Sequence, residues 1–129
     1  MTLHHLLPAT IARPLAAYSH GVEIAAGARL VLCSGQLAIA PDGHVPEDAG
    51  AQAEICFANG AAILAEAGMT LADVVRINAY VTDRAHMAPY MAVRDRLFAQ
   101  PAPASTLMIV GGFTRPEFKV EIELLAARS

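Results

Sequence analysis

The chain has 129 residues, 55% hydrophobic and 16% charged, with nine lysines and arginines against twelve acidic residues and a formal net charge of −3. That composition supplies one packed core and excludes a disordered chain; the few, scattered basic residues exclude the counterion-replacing surface that a nonspecific nucleic-acid binder needs. Nothing approaches the ~18 uninterrupted apolar residues that spanning a bilayer requires, and Met1 to Ala12 lacks the charged start and apolar run of an export signal. The expectation is one domain over residues 1–129, cytoplasmic, with no membrane partner.

In chain order, Tyr18 to Ile24 reads as a strand joined through Ala25-Ala26-Gly27 to an antiparallel partner over Arg29 to Ile39. Pro41-Asp42-Gly43 closes it with turn chemistry, Pro presetting φ and Gly tolerating positive φ. Asp48 to Ala67 has helical spacing, with Ala53, Cys56, Phe57, Gly60, Ile63, Leu64 and Ala67 in one stripe. Asp48 suits its start and Gly68 its end. Gly60 costs such a helix about 1 kcal/mol against Ala, which makes sense where the helix lies very close to a sheet. Thr70-Leu71-Ala72-Asp73 is a capped turn. Val74 to Thr82 then alternates: Val75, Ile77, Ala79 and Val81 face one way, and Arg76, Asn78, Tyr80 and Thr82 the other.

Ala85 to Phe98 is a second helix, stopped by Gln100-Pro101-Ala102-Pro103. Ser105 to Val110 is a strand, Gly111-Gly112 and Arg115-Pro116 mark a loop, and Phe118 to Ala126 is the last strand. This order gives an α+β fold with two helices on one face of a sheet. The other face needs cover, and the abundance of Ala and Val fits a buried subunit interface. Cys33 and Cys56 fall outside any Cys-x-x-Cys spacing and read as small buried hydrophobes. The five His residues give no metal spacing, and phosphate-loop, dinucleotide and zinc motifs are absent. No metal and no cofactor is expected.

Four separated motifs carry more information: Ala17-Tyr18-Ser19, Cys33-Ser34-Gly35-Gln36, Pro103-Ala104-Ser105-Thr106 and Val120-Glu121-Ile122-Glu123. In this order they resemble the Rid family, also called YjgF/YER057c/UK114, from about Ala16 to Ala127. The resemblance implies a Rid-like, chorismate-mutase-like mixed sheet with both helices on one face, closed into a trimeric barrel. It implies a homotrimer with ligand clefts between subunits and a small-molecule ligand. The function it implies is a hydrolase or deaminase acting on an imine, enamine or related metabolite. The alternative from another class is a non-catalytic trimer that keeps the cleft for a small metabolite. Ribonuclease activity, proposed for some relatives, fits poorly with the net charge and the lack of a basic-aromatic surface.

Glu121 and Glu123 leave one strand on the same face, and periodicity alone makes both an exposed polar face. The resemblance gives Glu121 the role of positioning the attacking water as a general base, about one strand step from Ser105 and Thr106, and gives Glu123 no such role. Tyr18, Ser34 and Gly35 match pocket positions, and Ser105 and Thr106 offer main-chain N–H and hydroxyl groups there. Gln36 reads as structural. Ala104 falls where the deaminases carry an Arg that grips the substrate carboxylate through paired hydrogen bonds, a geometry special to Arg. Met91 falls where a polar Asn is common. These departures argue for a more apolar pocket and against 2-iminobutanoate and 2-iminopropanoate as substrates. Arg94 interrupts the apolar stripe of Met87, Tyr90, Met91, Leu97 and Phe98 and must reach solvent or find a partner. Arg94 and Arg115 are the candidates for a displaced cation. His20 shares a strand face with Tyr18 and is able to titrate near neutral pH.

Overall fold

The computed structural model of the chain describes residues 3–129. Its elements are β1 (Leu3–Leu6), β2 (Gly21–Ile24), β3 (Arg29–Leu32), β4 (Gln36–Leu37), α1 (Ala49–Ala65), β5 (Val74–Val81), α2 (Met87–Leu97), β6 (Ala104–Ile109) and β7 (Val120–Arg128). The main sheet runs β3-β7-β5-β6, with β4 also on β7. β5 and β6 are parallel, while β3, β4 and β5 each meet β7 antiparallel. A parallel pair requires a crossover, and α2 supplies it. This is the mixed sheet with two helices on one face that the motifs lead one to expect.

The period-two patterning decides which face is which. Ile77, Ala79 and Val81 of β5 and Val120, Ile122 and Ala126 of β7 are buried with Phe57 and Leu64 of α1 and Tyr90 of α2. Arg76, Asn78, Tyr80, Glu121 and Glu123 alternate with them and lie half-buried on the open face. α1 presses hard on the sheet: a Cβ at residue 60 would stand 2.6 Å from Leu124 Cδ1, so glycine's cost to the helix is offset by close approach. Asp48 caps α1 by accepting from Ala51 N at 2.8 Å. Fully buried Gln52 then pins its first turn to the loop before β7, donating to Pro46 O at 2.8 Å and Glu117 O at 2.9 Å and accepting from Lys119 N at 2.8 Å. A buried amide satisfied this fully holds the entry to β7 in place.

Three expectations change. The strand at Tyr18 begins only at Gly21, and β2 pairs with β1, Leu3↔Ile24 through Leu6↔Gly21, not with β3; β3 is instead committed to β7 from Arg29↔Arg128 to Leu32↔Leu125. The strand read over Arg29 to Ile39 is two pieces, and the pairing slips by one residue between Leu32↔Leu125 and Gln36↔Ile122. Such a bulge bends a strand and re-aims its neighbours. The second helix starts at Met87, after a short 3-10 turn over Arg84–His86 whose first N–H groups are capped by Asp83.

Both cysteines are buried, as expected, and burial pushes the Cys56 thiol up to about 12. It stays protonated and points at Val120 O, 3.7 Å away. Among the described residues no helix is long and apolar enough to cross a membrane, and no group of three metal-ligating side chains gathers.

Candidate functional site

The bulge after β3 sets up the first cluster of polar groups. It carries Gly35 directly over the Glu121 carboxylate: a Cβ on residue 35 would lie 2.8 Å from Glu121 Cδ, 3.0 Å from Oε2 and 3.1 Å from Cγ. A larger residue here would have to push the carboxylate aside. Ser34 lies next to it, its carbonyl accepting from Gln36 Nε2 at 3.1 Å; Gln36 thus braces the turn. Glu121 makes no hydrogen bond or ion pair among the described residues. Burial, and then the like charge of Glu123, raise its pKa above the ordinary carboxylate range. A half-buried, unengaged carboxylate with a raised pKa is suited to taking a proton near neutral pH.

Glu123 differs although it points the same way. Tyr80 Oη donates to its Oε1 at 2.6 Å, and this bond is the chief reason that the Tyr80 pKa is raised. Beside it, Arg76 donates through Nε to Asn78 Oδ1 at 3.0 Å and through Nη2 to Thr106 Oγ1 at 2.6 Å. Arg76, Asn78 and Glu123 line a cavity of about 180 Å³ together with Cys33 and Leu32. Arg76 and Tyr80 were not singled out in the sequence, since nothing but cross-strand register brings them to Thr106 and Glu123.

A second cluster forms around the start of β6. Residues 18–19 run alongside it: Ser19 pairs with Ala104, its N–H donates to Pro103 O at 3.1 Å and its Oγ to Ala102 O at 2.5 Å. This brings Tyr18 beside Ala104, with its hydroxyl accepting from Leu15 N at 3.3 Å. His20 meets the Tyr18 ring edge-on at 6.1 Å and bonds to Ala12 O at 2.6 Å. Ser105 and Thr106 separate here. Thr106 pairs in register with Asn78 and faces the open side, while Ser105 pairs with Ile77 and faces the helices.

Under α2, Ser105 Oγ, Tyr90 Oη and Arg94 Nη2 are buried side by side; Arg94 Nη2 is ion-paired with Asp95 Oδ1 at 3.1 Å, and Arg94 and Ser105 hold the Tyr90 pKa down against burial. Arg94 does not reach solvent. It is 4% exposed, donates to Asp95 Oδ1 at 3.1 Å and lies 5.8 Å from the Tyr90 ring centre. Burial pushes the Tyr90 hydroxyl up to about 12. Met91, its neighbour on α2, is half-buried.

Two expected proximities are absent within one chain. Glu121 pairs with Tyr80, which pairs with Met108; Ser105 is therefore three residues along, two strands across and on the opposite face. Strand geometry puts it roughly 14 Å from Glu121, not one strand step away. Arg115 sits in neither cluster. It lies in the loop beyond the far end of β6, stacked 4.5 Å from the Phe118 ring centre and paired with Glu117 at 3.2 Å. A cavity of about 480 Å³ between β1 and the turn after α2 is lined by none of the expected site residues; its titratable lining is His5 and Asp73.

Known proteins fit this layout. The sequence model of the family described as Endoribonuclease L-PSP matches residues 10–128. The 2-iminobutanoate/2-iminopropanoate deaminase of Escherichia coli K12 is 30% identical over 115 residues, 86% of this chain and 87% of its own length. Among solved structures, the conserved Rid-family protein YyfB from Yersinia pestis is 32% identical, covers 99% of this chain and 100% of its own, and superposes with a TM-score of 0.86. E. coli TdcF, solved with bound serine, is 28% identical, covers 90% and 91% of the two chains and gives a TM-score of 0.73.

Proposed function

Because the chain belongs to the Endoribonuclease L-PSP family, the Rid proteins, we propose that it is a hydrolytic deaminase of a small imine or enamine. The observation that carries this is the unengaged Glu121 carboxylate, seated over Gly35 with its pKa raised by burial. Glu121 accepts a proton from water as that water adds to the C=N carbon. A C–O bond forms, the nitrogen takes up the proton, the C–N bond breaks, and the products are a carbonyl compound and ammonia. An enamine enters the same route after tautomerising to the imine. Positioned general bases of this kind contribute about 10²–10⁴-fold.

Assembly completes the site in this reading. One chain holds Glu121 and Gly35 in one place and Tyr18, Ala104 and Ser105 in another. A homotrimer that covers the open face, where Leu30 is 54%, Leu32 71% and Met108 53% exposed, buries that apolar surface and lets the halves of neighbouring copies meet. Head-to-tail contacts between two different patches close into a ring when the rotation between copies allows it. The family's ribonuclease description is disfavoured by the net charge of −3.

The test is ammonia release from imines generated in situ by an amino acid oxidase. Glu121→Gln keeps shape and removes the base, so turnover should fall by about 10²-fold or more, while Glu123→Gln should keep most of it. Full activity in Glu121→Gln would sink the mechanism. A tight ligand with no turnover in the native protein would favour a binding protein instead.

A further inference from the structure

Arg76 places a cation on the open face and spends it on neutral groups. Its Nε donates to Asn78 Oδ1 at 3.0 Å and its Nη2 to Thr106 Oγ1 at 2.6 Å. Glu123 lines the same small cavity but is bound by Tyr80. Register explains the aim. Arg76 pairs with Ala104 on the parallel strand β6, and Asn78 pairs with Thr106, so the guanidinium reaches one pleat along the face to meet both. The strands do not need this bond to stay together, because their pairing already runs from Arg76↔Ala104 to Val81↔Ile109.

The effect on Thr106 follows from what a hydroxyl carries: two acceptor sites and one proton to give. Arg76 fills an acceptor site, so the proton turns elsewhere, and among the described residues it meets no acceptor. Thr106 is exposed on the sheet's edge strand, so that proton is presented outward. A cation donating into an oxygen also strengthens the bond that the oxygen's own hydrogen makes. Ser105 is not placed for this, since it turns toward the helices and its Oγ is buried. Thr106 and Glu121 share the open face, yet they are two residues along and two strands apart, roughly 12 Å within one chain by strand geometry.

We propose that Thr106 is a catalytic hydrogen-bond donor to the substrate nitrogen, and that Arg76 is the positioning residue that aims and polarises it. This rests on the imine-hydrolase reading and adds the group that faces the base: in the shared cleft, Thr106 of one copy lies across the substrate from the Glu121 of another. As Glu121 takes a proton from the attacking water and the C–O bond forms, the electron pair of the C=N π bond collects on nitrogen. The Thr106 hydroxyl stabilises that pair by donating a hydrogen bond and keeps its own proton. The proton that the nitrogen gains is the one that water lost to Glu121. A donor fixed in advance is worth most where charge develops.

Hydrolysis of imines made in situ by an amino acid oxidase, with kcat and KM read separately, tests the assignment. Thr106→Val keeps the shape and removes the donor, so kcat should fall about tenfold or more while KM moves little; Thr106→Ser should recover most of the loss. Arg76→Met should lower kcat severalfold with unchanged circular dichroism, and Arg76→Lys should restore part of it. In the Thr106→Val background, Arg76→Met should cost nothing further, because its effect passes through that hydroxyl. Full kcat in Thr106→Val overturns the proposal, and so do losses that multiply in the double variant, which would mark Arg76 as a brace between strands. The two readings fail separately: activity lost in Glu121→Gln but kept in Thr106→Val removes the donor and leaves the deaminase, whereas no hydrolysis by the native protein removes both.

Discussion

The two faces of the sheet near the β5–β6 edge carry nearly the same polar groups in opposite conditions. On the open face, Arg76, Tyr80 and Thr106 are joined to each other or to Asn78 and Glu123 by bonds of 2.6–3.0 Å. On the helix face, Arg94, Tyr90 and Ser105 lie together out of water, with Arg94 Nη2 paired at 3.1 Å to Asp95 Oδ1. An arginine, a tyrosine and a hydroxyl residue thus make a network at the half-buried face in one place and a desolvated one in the other. Burial raises the stakes of each polar contact, so the desolvated set is the less forgiving of change. Glu121 is the exception on the open face: it stands beside the network there and takes no part in it.

The comparison can be broken most forcefully at Gly35. Gly35→Ala puts a methyl 2.8 Å from the Glu121 carboxyl carbon, so either the carboxylate moves or the turn does. The unengaged carboxylate is free to swing aside, so turnover should fall while the melting temperature changes little. An alanine variant with native activity would show that the carboxylate is not needed there.

The tyrosines give a smaller and more diagnostic contrast. Tyr80→Phe removes a bond to a charged acceptor and should cost about 1–2 kcal/mol in urea unfolding. Tyr90→Phe removes a buried hydroxyl that makes no well-formed hydrogen bond and should be close to neutral. Equal losses in the two variants would mean that the helix-face cluster is satisfied after all.

The smallest effect concerns pH. Glu121 acts when ionised, and its pKa is raised first by burial and then by Glu123. Activity should therefore climb with pH over a range above the ordinary carboxylate one. Glu123→Gln removes the second cause, lowers the Glu121 pKa and moves the ascending limb to lower pH, but only part of the way to the ordinary carboxylate range because burial remains. A limb that stays in place in the variant would belong to another group.

The sequence is legible where period decides the outcome. Val120-Glu121-Ile122-Glu123 and the alternation from Val74 place their faces unaided, and Gly60 announces the close contact with Leu124. It is less legible where register decides. Alternation separates Ser105 from Thr106, but only the parallel pairing Ile77↔Ser105 says that Ser105 goes inward. Glu121 and Glu123 look equivalent until Tyr80 is seen to bond one of them. Arg94 is visibly out of place in an apolar stripe; that it goes inward with Asp95, and not out to solvent, depends on what lies beneath α2. The β1–β2 pairing is hidden because Leu3 to Leu6 has too little pattern to mark a strand.

The central claim is that the working site is shared between copies, Glu121 coming from one chain and the start of β6 from another. Mixing tests it most directly. Glu121→Gln and Tyr18→Ala chains, the second altered beside the start of β6 and each expected to be poorly active alone, are unfolded, combined in equal amounts and refolded. In a trimer with random assortment about a quarter of the clefts receive both intact halves, so ammonia release should rise well above the average of the two parents. Activity that stays at that average would place both halves in one chain and contradict the account.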